Sequence, residues 1–249
     1  MDPSELVEPH QPSQPPPKTW VDRIQALFEV ILLAGLVSSL IATLPFAGKI
    51  RDQSGLLADI RVLAGFLLLE AAVTFGLLYL VMKAHGEKLR DFGLSWQHWR
   101  SDVLLGLAIV PILFGVNGVI NVIFRSYLPQ LFQEHNPLAE LVRTPQDLTI
   151  FVGTALIAGG IKEELQRAFI LRRFQSFLGG ANLGLIVWSV VFAVGHTIQG
   201  WQGVVIAGIY GMVFGVLYLA RGTLIAPMVA HGVYDAVALL GYWFTRAHS

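Results

Sequence analysis

The run LIAPMVAHGVYDAVALLGYWF, residues 224–244, decides the fold. It stays apolar over about 20 residues, the length at which an α-helix crosses the hydrocarbon core of a bilayer. Near its middle it carries His231 and Asp235, four residues apart and so on one helix face. Ionisable groups at membrane depth are costly and mark functional sites. The run therefore reads as a transmembrane helix that contributes to a polar reaction centre.

Working outward, the same pattern recurs. The chain of 249 residues is 54% hydrophobic and 14% charged, with a mean hydropathy of +0.61, whereas a soluble domain carries about 25% charged residues. Seven apolar segments can be read: 26–47, 62–82, 103–124, 148–177, 183–198, 204–219 and 224–244. The fourth is one long helix or two helices broken at Gly159-Gly160, which would make eight. The expected fold class is an all-α, polytopic transmembrane bundle. Three regions are expected: a disordered Pro-rich tail over 1–19, N-terminal spans with an interfacial segment over 20–147, and a catalytic membrane core over 148–249.

Asp2, Glu5 and Glu8 stand where a signal peptide would be basic, so the N-terminal stretch is expected to be an extended cytosolic tail. With seven spans, Lys18, Arg23, Lys83, Lys88, Arg90, Arg100, Arg172, Arg173 and Arg221 share its side, against Lys49, Arg51, Arg61, Arg125, Arg143 and Arg246 opposite. That excess of basic residues favours a cytosolic N-terminus. Phe92, Trp96 and Trp99 interleave the polar stretch 87–102 and suggest an amphipathic segment at headgroup level. The loop 126–147 is the longest and is expected to cover the site. A zero formal net charge gives no reason to expect nucleic acid, and the absence of cysteine excludes a thiol nucleophile and thiolate zinc sites.

Two more polar groups join His231 and Asp235. Glu163, Glu164 and Arg167 follow Gly159-Gly160, and Glu163 and Arg167, four apart, are expected to pair. Glu164 lies about 100° further round the helix. His196 ends the fifth segment in Phe192-Ala-Val-Gly-His196. Two imidazoles and a carboxylate from separate helices suit hydrolysis: the histidines hold a metal ion or orient a water, and the glutamate takes the water's proton and passes it to the leaving amine. Taken singly, each has a structural reading as ion pair or interhelical glue; together they suggest one site. Gly203, Ala207, Gly211 and Gly215 form a small-residue stripe expected to pack against a neighbouring helix. Asn117 and Asn121 read as hydrogen-bond glue, Glu29 as reaching the interface, and His10, His85, His98, His135 and His248 as solvated. Glu70 is deep and has no motif around it.

The Glu-Glu-…-Arg turn, the Phe-x-x-x-His and the His-x-x-x-Asp, in this order, resemble the CPBP family, the Abi/CAAX prenyl protease type of intramembrane metalloprotease. The likeness covers about 155–240 and includes Ala168-Phe169-Ile170-Leu171 after the arginine and Gly222 to Pro227 before His231. The resemblance implies an endopeptidase acting near the membrane surface on a peptide or lipidated protein. It implies catalytic roles for Glu163, Glu164, Arg167, His196, His231 and Asp235, and a divalent metal, zinc by the family's chemistry, held by His196, His231 and Glu163. The family spacing is Glu-Glu-x-x-x-Arg, and Glu163-Glu164-Leu-Gln-Arg167 is one residue short. Counted back from Arg167, Lys162 falls where the first glutamate belongs. Both registers stand at this point, and the first keeps a carboxylate where hydrolysis needs one. The second register favours a non-catalytic immunity or scaffold protein of the same fold. A proton-coupled transporter is a further alternative, without visible inverted repeats to support it.

Overall fold

The computed structural model describes residues 19–48, 55 and 57–246. Most of the expected tail, with His10 and Lys18, lies outside these, as do Lys49, Arg51 and His248. Among the described residues all regular structure is helical. In chain order the elements are α1 (Trp20–Leu33), α2 (Leu36–Thr43), α3 (Ile60–Ala84), α4 (Trp99–Tyr127), α5 (Pro145–Ala155), α6 (Glu164–Phe177), α7 (Ala181–Gly195), α8 (Gly200–Arg221) and α9 (Ile225–Arg246). Between α5 and α6 the helix continues through a π-helical stretch, Leu156–Glu163. The fourth apolar segment is thus one helix, and the widened turn contains the two glycines at which a break was considered.

Helices α3, α4, α8 and α9 are each long and apolar enough to cross a membrane. The pair α1–α2, bent by 40°, gives a fifth if it is one span. The bend falls at Gly35, whose φ of +104° is open to glycine and strained for other residues. Of the seven segments read from hydropathy, the remaining two differ in kind. The α5–α6 rod carries the charged turn, and α7 has only 15 residues. The outer faces are apolar, with Leu104, Ile112 and Val119 exposed on α4 and Ile186, Val190 and Val194 on α7. In water such surfaces would demand a partner; here lipid supplies it.

The interior is packed where small residues let backbones approach. On α8, Gly211 faces Ser189 of α7 so closely that a Cβ would lie 3.1 Å from the serine Cα, and a Cβ at Gly215 would lie 2.2 Å from Leu185. The stripe is therefore an intramolecular seam, as expected. Asn117 donates to the Tyr234 hydroxyl at 2.5 Å, which makes it the interhelical glue between α4 and α9.

Three expectations are corrected. Glu29 does not reach the interface: it is 5% exposed and accepts from Arg173 Nε at 2.6 Å. His85 is not simply solvated, because its Nε2 lies 2.6 Å from the same carboxylate. A buried arginine needs such partners, and Arg173 also forms a two-pronged pair with Glu87, 2.7 Å on each arm. Phe92 is 2% exposed and stacks on Phe169 at 5.7 Å, so it belongs to the core, whereas Trp96 and Trp99 are exposed. The loop 126–147 packs Leu141 and Val142 against Ile60, Leu63 and Phe151, and Gln133 exchanges two backbone hydrogen bonds with Gln202 at the start of α8.

The seam can be tested by overpacking. Gly211→Leu is expected to destabilise the protein by about 1–3 kcal/mol, read as a lower thermal midpoint in detergent. Gly241→Ala, with no atom within 4 Å of the added carbon, should leave the midpoint unchanged.

Candidate active site

Thr144 starts α5 with a capping box: its hydroxyl accepts from Asp147 N–H at 3.2 Å, and Thr144 N–H donates back to the Asp147 carboxylate at 2.9 Å. The Thr144 side chain, together with the Arg143 and Thr144 N–H groups that donate to it, holds the Asp147 carboxyl below its ordinary value. From this cap the rod runs to the π turn, where Gly159 and Gly160 cross α9. A Cβ at Gly160 would come within 3.1 Å of Gly232 Cα. At Gly159 it would meet Asp235 Oδ2 at 2.7 Å and His231 Nε2 at 3.4 Å. The missing side chains are what let the charged turn lie against His231 and Asp235.

His231 is 6% exposed and is held on every side. Its Nδ1 donates to Glu164 Oε1 at 2.8 Å. The acceptor must be an ionised carboxylate, because the other Glu164 oxygen is paired with Arg167. Phe214 stacks on the imidazole at 4.7 Å and Phe192 meets it edge-on at 6.1 Å. The same two rings sandwich the Arg167 guanidinium, at 5.4 and 5.2 Å. In the neutral tautomer with the proton on Nδ1, Nε2 keeps its lone pair. Facing it are Asp235 Oδ2 at 3.6 Å and Glu163 Oε2 at 3.8 Å. Both distances exceed a direct hydrogen bond. Glu163 and Asp235 are partly exposed, so water can enter.

The expected Glu163–Arg167 pair is replaced by Glu164–Arg167, three residues apart. Glu164 does not lie away from the site: it is the residue that holds the imidazole. Glu163 ends the π turn and is turned to the open side instead. Lys162 points away from His231 and pairs with Glu70 at 2.7 Å. The side chains that meet His231 are thus Glu163, Glu164 and Asp235, with Lys162 directed to the rear.

His196 is placed differently. It caps the end of α7, its Nδ1 lies 2.7 Å from the Phe192 carbonyl, and its ring leans on the Phe192 ring at 4.4 Å. One aromatic side chain therefore touches both histidines. No hydrogen bond or ion pair among the described residues joins His196 to Glu163, Glu164, His231 or Asp235. Nor do any three His, Asp or Glu side chains among them form a group able to hold a metal ion. The set Glu163, His196 and His231 is not a ready-made zinc centre among the described residues, because no contact joins His196 to the other two and Glu163 lies 3.8 Å from His231 Nε2.

Residues 144–237 match the family model described as Type II CAAX prenyl endopeptidase Rce1-like. The CPBP/CAAX resemblance holds. The matched stretch begins at the Thr144 cap and ends just past Asp235, so it contains every side chain that meets His231. No curated protein and no solved structure matches the chain at the level required.

Several site features escaped the motifs. Glu164 stood within the charged-turn motif, but its pairing with Arg167 and His231 was not foreseen. Phe214 had no signal, since an aromatic residue in an apolar helix is ordinary. Glu70 and Lys162 were each out of place in an apolar context, and that was the available hint that they pair.

The two neighbouring carboxylates should behave oppositely in a stability assay. Glu164→Gln strips the fully buried Arg167 of the counter-charge it has among the described residues and is expected to cost about 3–5 kcal/mol. Glu163→Gln should stay within about 0.5 kcal/mol of the parent. Denaturation of both variants in the same detergent checks this.

Proposed function

We propose that this chain is an intramembrane endopeptidase that hydrolyses a peptide bond near the membrane surface, with a prenylated or otherwise lipid-anchored protein segment as substrate. The observation that carries the reading is the convergence of Glu163 and Asp235 on Nε2 of His231, at 3.8 and 3.6 Å. The match of this same stretch to a prenyl endopeptidase model supports the substrate class.

In this scheme the water sits between Glu163, Asp235 and His231 Nε2. Glu163 takes its proton as the oxygen attacks the scissile carbonyl, and returns that proton to the leaving amine. His231 accepts from the water and is kept in one tautomer by Glu164, which in turn is fixed by Arg167. Asp235 lines the site beside His231 Nε2. His196, with Nδ1 engaged by Phe192, turns Nε2 outward towards the substrate side. The N-terminal side is placed in the cytosol, following the excess of Lys and Arg.

A non-catalytic scaffold is the second reading, favoured by Lys162 standing where the family's first glutamate is expected and by the missing three-donor group. Cleavage of a farnesylated C-terminal peptide by the full chain in vesicles decides between them. Turnover is expected, and Glu163→Gln and His231→Ala should each lower kcat by about 10²-fold or more. His196→Ala should lower it as well, and a normal rate there would return His196 to helix capping. No cleavage of the farnesylated peptide or of its unprenylated counterpart would favour the scaffold. Activity lost to a chelator and regained with zinc would restore the metal to the mechanism.

A further inference from the structure

Behind the candidate site lies a second buried polar cluster that the hydrolytic scheme does not use. Lys162 and Glu70 are 6% and 4% exposed, and Nζ donates to Glu70 Oε2 at 2.7 Å. The other Glu70 oxygen accepts from Ser38 Oγ at 3.0 Å, and the same hydroxyl lies 2.9 Å from the Gly35 carbonyl. Gln166 donates to the Leu33 carbonyl at 2.8 Å and so satisfies an orphan acceptor at the end of α1. The α1–α2 bend, the middle of α3 and the charged turn are thereby tied together by side chains.

A buried ion pair is a poor way to gain stability alone, since well-packed apolar residues usually serve as well or better. The Lys162 ammonium has a second neighbour, however. It lies 3.7 Å from Glu163 Oε1, while Oε2 of that carboxylate faces His231 Nε2 at 3.8 Å. Glu163 is held between a cation behind and an imidazole in front. A lysine head on its flexible stem can hold such a position only when fixed by a partner of its own, and Glu70 provides one.

The geometry points to Lys162 as a positioning residue, whose ammonium, pinned by Glu70, aims the Glu163 carboxylate at the water site. This rests on the endopeptidase reading and deepens it by naming the group that orients the base. The departure from the family spacing then has a use: a cation occupies the place of the first glutamate and serves the second.

Three proteins in vesicles test the assignment: the parent, Lys162→Met/Glu70→Leu, which removes the pair, and Lys162→Glu/Glu70→Lys, which reverses it. The probe is the farnesylated peptide, and isotope-edited infrared bands of the Glu163 carboxylate are assigned by difference from Glu163→Gln. Removing the pair should lower kcat by roughly 10- to 100-fold through misplacement, with KM unchanged and the Glu163 bands shifted. The reversed pair keeps a buried ion pair but puts an anion beside Glu163, so it should remain as slow. A purely structural role predicts that the reversed pair recovers the rate. Recovery there, or a parental kcat without the pair, overturns the proposal. If the removal variant does not accumulate, the reversed variant alone carries the comparison. A parent that cleaves nothing sinks the endopeptidase reading; the infrared bands still decide the orientation, and unchanged bands overturn it.

Discussion

The Arg167 guanidinium has no exposure to solvent, and much of the C-terminal half is arranged to make that tolerable. Desolvating such a charge costs several kcal/mol, offset only by a close counter-charge and further favourable contacts. Glu164 supplies the charge, and Phe192 and Phe214 supply two aromatic faces, each worth up to about 2 kcal/mol when desolvated. These partners come from α6, α7 and α8, and the Glu164 carboxylate adds α9 through His231. The fixed imidazole is thus the outer member of a chain whose inner member is a buried cation. The small residues of α8 serve the same end, because a bulky residue at Gly215 would be pressed against Leu185 and come near the Arg167 stem.

Glu163 and Glu164 are adjacent in the chain and differ completely in circumstance. One is committed to an arginine and a histidine in a dry interior; the other is partly open and has no partner within hydrogen-bond distance at His231. The turn of about 100° per residue separates them, and the π stretch just before sets where that turn falls on α9. A pair of identical side chains has been divided into an anchor and a reactive group by backbone geometry alone.

What could be read beforehand follows from which physical signals are local. Apolar length and the rarity of membrane-depth charges revealed the helical bundle and brought attention to Glu163, His231 and Asp235, which do meet. The small-residue stripe on α8 was legible because close packing leaves a fixed spacing. The pairing within the charged turn was not, since Glu163 and Glu164 stand four and three residues before Arg167 and helix spacing allows either pair. Glu29 and His85 looked peripheral because the partners of Glu29, His85 and Arg173, both lie far from it along the chain. His196 was grouped with His231 by motif order, yet motif order says nothing about which way a helix-end imidazole turns.

The shortness of α7 bears on the membrane itself. Its 15 residues rise about 22 Å, against a hydrocarbon thickness of roughly 30 Å. Its outward face is nevertheless apolar through Ile186, Val190 and Val194, so lipid must meet it. A hydrophobic mismatch of this sign is relieved by local thinning of the bilayer. The short helix is the one that ends at His196 and presents Phe192 to both histidines, so the mismatch bears on the same corner of the bundle as the site.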